Sequence, residues 1–253
     1  MTGMKIPSFR WFMGNGLKPG REHINLLKAG EGDSIFLEQF KVLRSKLEYK
    51  LDMLAWKVIG FTSSIAGEGK TLACAKVAVS LARTKRKSIL LVDADIRKAD
   101  LSKGLGLPLH PGLTENLMGN VAFPNVVRRS LVPGLDTVSS GTSVAAPADL
   151  LSGEGFRRFI EEARKRYDLI LLDTPPVLAV ADAMSMRERL DGFVFIYRAG
   201  YTPISMFQQA TEEIGEKQIL GVVLNGVEPK SDRYYGRYYG TYYTSMNTKE
   251  PGE

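Results

Sequence analysis

Short apolar runs punctuate this chain, and several of them end abruptly in small polar or acidic residues. They are Lys57 to Phe61 (KVIGF), Ser88 to Asp95 (SILLVDAD), Tyr167 to Pro176 (YDLILLDTPP), Phe193 to Tyr197 and Ile219 to Val227. A continuous run of this length, without alternation of polar residues, predicts a strand covered on both faces. Leu135 to Ser140 reads as a shorter strand, followed by a loop from Gly141 to Pro147.

Helical spacing fills the intervals. LACAKVAVSLART follows Thr71, Ala148 to Arg166 turns Leu150, Leu151, Phe156, Phe159 and Ile160 inward, and a further helix lies near Pro203 to Lys217. Ser34 to Lys50 predicts an amphipathic helix with Ser34 as N-cap and an apolar face of Ile35, Phe36, Phe40, Leu43 and Leu47. Repeated β-α units with short turns predict an α/β fold, a doubly wound and mostly parallel sheet with helices on both faces. Residues 98–134 carry Pro and Gly punctuation around short helical pieces, and residues 1–33 show no sustained period and read as an arm. The Arg10-Trp11-Phe12-Met13 patch in that arm is either a membrane or partner contact or a few sticky residues of a tail.

Composition narrows the compartment more than the chemistry. The 253 residues give room for one sizeable domain plus arms, and the formal charge of +6 is modest for a solvated basic surface. No run approaches the roughly 18 apolar residues of a membrane span, and no signal-peptide pattern opens the chain. The single cysteine, Cys74, falls on the apolar face of the helix after Thr71 and reads as a buried thiol; the two histidines, His23 and His110, are too isolated for a metal site. A reducing cytoplasm, where ATP is available, fits this usage.

The chemistry starts at the end of the first apolar strand. Gly67-Glu68-Gly69-Lys70-Thr71 sits between that strand and a helix, the context of a phosphate-binding loop. Glycines let the backbone curl close to an anion, the unpaired N–H groups of the helix start point at it, Lys70 reaches the outer phosphates, and the Thr71 hydroxyl suits a magnesium ion. Ser64 stands where the usual pattern has its first Gly. Two later strands end in acids, Asp93 and Asp95 on one and Asp173 on the other, and ligands of doubly wound sheets bind at carboxyl strand ends. Arg97 follows at the same mouth, and Asp182 opens a helix as a dipole partner. Asn225 ends the last strand and is either an adenine contact or a turn-forming residue.

Two features lie outside the pocket. Glu38, Lys41 and Arg44 share one polar face of the 34–50 helix, as a solvated charged face or as a self-association surface. Tyr234 to Tyr243 (YYGRYYGTYY) holds six of the ten tyrosines in three pairs. That stretch reads as a low-complexity tail, a stacking platform for single-stranded nucleic acid, a strand for a partner, or a substrate segment that presents phenols to an active site.

Together these residues resemble the bacterial tyrosine autokinases of capsule and exopolysaccharide export, the CpsD/CapB type, over about Ser34 to Tyr243. The matching elements are SSIAGEGKT, ILLVDADIR, LILLDTPP, the YRAGYT stretch at Tyr197 to Thr202, GVVLN and the tyrosine cluster. Ala66 stands where that family usually has Pro, and Lys41 replaces the first arginine of its oligomerisation motif. The resemblance implies a P-loop NTPase fold with an arm at 1–33, a kinase domain at 34–228 and a tyrosine tail at 229–253. It implies ATP and Mg2+ as cofactors, with Ser64, Ala66, Gly67, Glu68, Gly69, Lys70, Thr71, Leu72 and Asn225 around the nucleotide. Lys70, Asp93, Asp95 and Arg97 are the implied catalytic residues, with Asp93 as base or exchanging roles with Asp95. Thr71, Asp95 and Asp173 are the implied magnesium ligands.

Tyr234, Tyr235, Tyr238, Tyr239, Tyr242 and Tyr243 are the implied acceptors, phosphorylated in trans within a ring-like homo-oligomer built on Glu38, Lys41 and Arg44. The implied partners are a separate membrane-embedded polysaccharide co-polymerase that activates the kinase at the inner face of the membrane, and a protein tyrosine phosphatase; no nucleic acid is expected. Two other readings share the fold. One is a MinD/ParA-like ATPase, against which stand Ile65 in place of a second loop lysine and the tyrosine tail. The other is a nucleotide-gated assembly protein without catalysis.

Overall fold

The computed structural model describes residues 10–12, 26 and 34–227. Among the described residues eight strands form one sheet: β1 (Arg10–Phe12), β2 (Val58–Ser63), β3 (Ile89–Asp93), β4 (Val127–Arg129), β5 (Leu135–Val138), β6 (Leu169–Asp173), β7 (Gly192–Arg198) and β8 (Ile219–Asn225). Their spatial order is β1-β8-β7-β2-β6-β3-β5-β4, parallel throughout except for the β4–β5 pair. The helices are α1 (Ser34–Leu54), α2 (Lys70–Ala82), α3 (Asp100–Gly104), α4 (Leu113–Leu117), α5 (Phe123–Val126), α6 (Pro147–Ser152), α7 (Glu154–Arg166), α8 (Asp182–Met186) and α9 (Ile204–Ile214).

The unbroken apolar runs follow from this layering. Along β6, Leu169 and Leu171 enter the core beneath α1 and α2, while Ile170 and Leu172 enter the one beneath α7 and α9. β7 divides likewise, Val194 and Ile196 to one side and Phe193 and Phe195 to the other. Successive side chains of a strand point to opposite faces, so a strand between two helical layers needs an apolar residue at every position. The stacking brings the carboxyl ends of β2, β6 and β3 side by side, with Asp93 and Asp173 paired in register.

Several boundaries differ from the sequence reading. Arg10–Phe12, placed in a structureless arm, forms the edge strand β1 beside β8, with Trp11 opposite Val223. Leu26 is buried, and its N–H donates to the carbonyl of Gly104 at 2.9 Å. A three-residue strand is recruited by the backbone groups of an open sheet edge, so its own side chains need show no period. The three-residue strand β4 went unread for the same reason. The helix expected over 148–166 is two helices, broken where Gly153 adopts an extended conformation (ψ 173°). α1 runs to Leu54 and stops at Ala55, whose φ is 53°.

The apolar face of α1 is Phe36, Phe40, Leu43, Leu47 and Leu51, all buried over the sheet. Lys41 is exposed and pairs with Glu38 at 2.8 Å. The Arg44 guanidinium donates to the carbonyl of Ser80 on α2 at 3.2 Å. Arg44 thus also ties α1 to α2 of the same subunit, beside the Glu38–Lys41 pair on the same helix. Truncating Leu47, which is fully buried, leaves a cavity, and Leu47→Ala is expected to lower the unfolding free energy in urea by about 2–5 kcal/mol. Lys41→Ala is expected to stay within about 0.5 kcal/mol of the parent in the same measurement.

Candidate active site

β2 ends in Ser63, α2 begins at Lys70, and the six residues between them turn around an open hollow. Gly67 and Gly69 make the turn with φ of 86° and 93°, conformations that side chains with a Cβ resist. A Cβ at Gly69 would also lie 2.3 Å from Nδ2 of Asn225. The first N–H groups of the 13-residue helix α2 have no partner within the helix and face the hollow, which makes its start an anion site.

The hollow is braced by residues that the sequence reading named without giving them this role. Glu68 is wholly buried. Its Oε2 accepts from the N–H of Ile65 at 2.8 Å, and its Oε1 accepts from Thr202 Oγ1 at 2.6 Å and the N–H of Arg198 at 3.2 Å. Arg198 donates to the carbonyl of Gly67 at 2.9 Å, and Tyr201 Oη donates to the carbonyl of Ala66 at 3.3 Å. Asn225 Nδ2 donates to the carbonyl of Glu68 at 2.8 Å, while Oδ1 accepts from the N–H of Gly226. This is the turn-forming role left open for Asn225, and one amide N–H and one lone pair remain for a base edge. The signal for this bracing was topological, since β7 and β8 end at the same edge of the sheet as the loop.

Beneath the loop lies a buried charge cluster. Lys70 Nζ is 2.9 Å from Asp95 Oδ2, 3.5 Å from Asp173 Oδ1 and 3.3 Å from Thr71 Oγ1. Asp93 Oδ2 accepts from both the N–H and the Oγ of Ser102, at 2.8 and 2.6 Å. Ser102 Oγ in turn accepts from the N–H of Ser140 at 3.1 Å. Burial works against the Lys70 ammonium, yet Asp173 and Asp95, with help from Asp93, hold its pKa above the ordinary lysine value. Burial pushes Asp93 well above the usual carboxylate range, Asp173 adds to the push, and the Ser102 bonds pull it partly back. Asp173 is raised by burial in the same way, against the pull of Lys70 and Thr71.

Three nearly or wholly buried carboxyl groups therefore surround one buried ammonium. Asp93 Oδ1, Asp173 Oδ2 and Ser64 Oγ are buried and find no hydrogen-bond partner among the described residues. Surplus buried negative charge and orphaned oxygens fit a divalent cation that arrives with an anionic ligand. Among the described residues no cluster of three or more His, Cys, Asp and Glu side chains is set to hold an ion by itself. Magnesium is ordinarily bound through one or two carboxylates plus phosphate oxygens and water.

Of the remaining expected residues, Ser64, Ala66 and Leu72 lie on the loop and the first turn of α2. Arg97 lies at the mouth but is held by a two-pronged pair with the buried Asp182, at 2.8 and 3.1 Å. Asp182 is thus an ion-pair partner and more than a helix-dipole residue. Glu38, Lys41 and Arg44 sit on α1, outside the hollow, and Tyr234 to Tyr243 fall outside the described residues.

Comparison with known proteins agrees with this geometry. Residues 56–189 match a family model described as an AAA domain. A tyrosine-protein kinase YwqD of Bacillus subtilis is 33% identical over 214 residues, covering 84% of this chain and 90% of that protein. A putative tyrosine-protein kinase EpsB of Ralstonia solanacearum is also 33% identical over 214 residues, but this chain spans only 28% of its length. Among solved structures, a BceF tyrosine kinase domain superposes with a TM-score of 0.73 at 30% identity, covering 82% of this chain and 84% of that one.

The excess charge has a measurable cost. A carboxylate whose pKa is raised by folding stabilises the fold below its unfolded pKa and loses that contribution as pH rises through the folded value. At alkaline pH the ionised Asp93 is therefore a burden on the fold. Asp93→Asn keeps an oxygen for the two Ser102 bonds and removes the charge, so its melting temperature at pH 8 is expected to exceed the parent's by several degrees, with the gap closing toward pH 4. A lower melting temperature at pH 8 would contradict the cluster as described.

Proposed function

The chain belongs to the bacterial tyrosine-protein kinases, and from that premise we propose that it transfers the γ-phosphoryl group of ATP to the phenols of its own 234–243 segment, one copy acting on another. The observation that carries this reading is the convergence of Lys70, Asp93, Asp95 and Asp173 beneath the open start of α2.

The residues divide the work by chemistry. The loop N–H groups and Lys70 would hold the β- and γ-phosphates, and Asn225, through its remaining amide groups, the adenine edge. Thr71, Asp95 and Asp173 would hold magnesium, which when bound neutralises charge on the phosphate oxygens. Proton transfer falls better to Asp93 than to Asp95. Asp93 keeps a free Oδ1 and a raised proton affinity, whereas Asp95 Oδ2 is occupied by the Lys70 ammonium. A phenol of pKa about 10 needs little early deprotonation in a loose transition state, so positioning and charge neutralisation carry most of the rate. Arg97, pinned by Asp182 at the mouth, would steer the acceptor from the side.

The wider setting belongs to the same proposal. The kinase would work as a ring-like oligomer at the inner face of the cell membrane. A membrane co-polymerase would activate it, a tyrosine phosphatase would reset it, and it would regulate capsule or exopolysaccharide polymerisation and export. No helix among the described residues is long and apolar enough to cross a membrane. Exposed Lys41 and half-buried Glu38 and Arg44 would meet a neighbouring copy on this helix, Arg44 while also donating to Ser80 of its own subunit.

Purified protein incubated with ATP and magnesium is expected to gain phosphate on Tyr234 to Tyr243, read by peptide mass mapping, and Lys70→Met is expected to abolish it. Label confined to serine or threonine, or free phosphate released in response to DNA or lipid with no phosphotyrosine, would reject the proposal.

A further inference from the structure

Two tyrosines stand out from the described surface, Tyr49 on α1 at 63% exposure and Tyr201 at 50%. Tyr201 is the one that touches the nucleotide loop. Its Oη donates to the carbonyl of Ala66 and lies 2.9 Å from where a Cβ of Gly67 would be. The Arg198 guanidinium stacks over its ring at 4.8 Å while donating to the carbonyl of Gly67. The turn that carries it is fastened through Thr202, whose Oγ1 donates to the buried Glu68 and whose carbonyl accepts from Tyr197 Oη at 3.0 Å, while the Tyr201 side chain itself is half-exposed. A half-exposed phenol thus latches the outer curl of the phosphate loop, with a cation already against its ring.

We propose that Tyr201 is a further phosphate acceptor of this kinase, outside the C-terminal cluster, and that phosphate on it loosens the nucleotide loop. The proposal rests on the kinase reading above. Tyr201 Oη of one copy attacks the γ-phosphorus of ATP held by another. The new O–P bond forms as the bond from that phosphorus to the β–γ bridging oxygen breaks. ADP leaves with the electron pair, and the phenolic proton passes to Asp93 of the copy that holds the ATP.

The consequence follows from charge and hydrogen bonding. Phosphotyrosine has no phenolic O–H to donate, so the bond to the Ala66 carbonyl is broken. The added charge of about −1.5 to −2 repels that carbonyl and any phosphate held by the same loop. It also attracts the neighbouring guanidinium away from the Gly67 carbonyl, since an Arg–phosphate pair is stronger than a bond to a neutral oxygen. The fastenings by Tyr201 and Arg198 are lost together, while those by Glu68 and Asn225 remain.

The test uses the full chain. After incubation with magnesium and ATP, mass mapping quantifies phosphate on Tyr201, on Tyr49 and on the 234–243 cluster. Affinity for a fluorescent ADP analogue is measured before and after, in the parent and in Tyr201→Phe. Phosphate is expected on Tyr201 well above Tyr49. The parent is expected to weaken about ten-fold more than Tyr201→Phe, because two hydrogen bonds to the loop break and a repelling charge is added beside it. Because both proteins carry the tail, the difference isolates Tyr201. Label on the cluster with none on Tyr201 overturns this proposal and leaves the kinase reading standing, whereas no tyrosine label at all removes both. Equal label on Tyr49 and Tyr201, or equal weakening in the two proteins, also overturns it.

Discussion

The ammonium of Lys70 rests 2.9 Å from Asp95 and 3.5 Å from Asp173, with Asp93 adding its field from the neighbouring strand. The strand order brings these groups together, and the surrounding packing leaves them nearly or wholly buried. Burying unbalanced charge is costly, and a core of similar volume made of apolar residues would be more stable. The arrangement makes sense as a site that is finished only when a cation and a polyanion enter. Its two orphaned carboxylate oxygens, one on Asp93 and one on Asp173, are where the unfinished state is visible.

The fold makes this placement cheap in every other respect. β2, β6 and β3 are adjacent and parallel, so one loop and three acids arrive at one edge without long side chains having to search for each other. The loop is then held from two directions. From inside, the α2 helix begins at Lys70 with its N–H groups facing the hollow; from outside, Glu68, Arg198, Tyr201 and Asn225 fasten its carbonyls and its turn. Firm placement of this kind is what a phosphoryl-transfer site needs, because a misplacement of about 1 Å can cost on the order of 100-fold in rate.

How much of this was legible from residues alone depended on the physical signal each part leaves. The central strands were plain, because a strand covered on both faces must be apolar at every position, as β6 and β7 are. The loop and its acids were plain too, because Gly67, Gly69, Lys70, Thr71, Asp93, Asp95 and Asp173 sit at strand ends in a fixed order. β1 and β4 were not, since three residues recruited by an open edge need no pattern of their own. The Arg97–Asp182 pair joins residues 85 apart, and Thr202 reaches Glu68 across 134. No local spacing encodes such pairings, and they emerge only once the strand order is known. Arg44 keeps its helical spacing with Glu38 and Lys41, and its contact with Ser80 on α2 is one more pairing that only the packing of the two helices reveals.

The most direct test of the central claim is the thermal melt of the protein with ADP, in magnesium and then in excess EDTA. If the hollow is a charge-unbalanced site completed by cation and polyanion together, ADP with magnesium raises the melting temperature by several degrees, while either one alone does little. An equal rise with ADP in EDTA would mean that the buried carboxylates do not await a cation, and would contradict a site that cation and polyanion complete together.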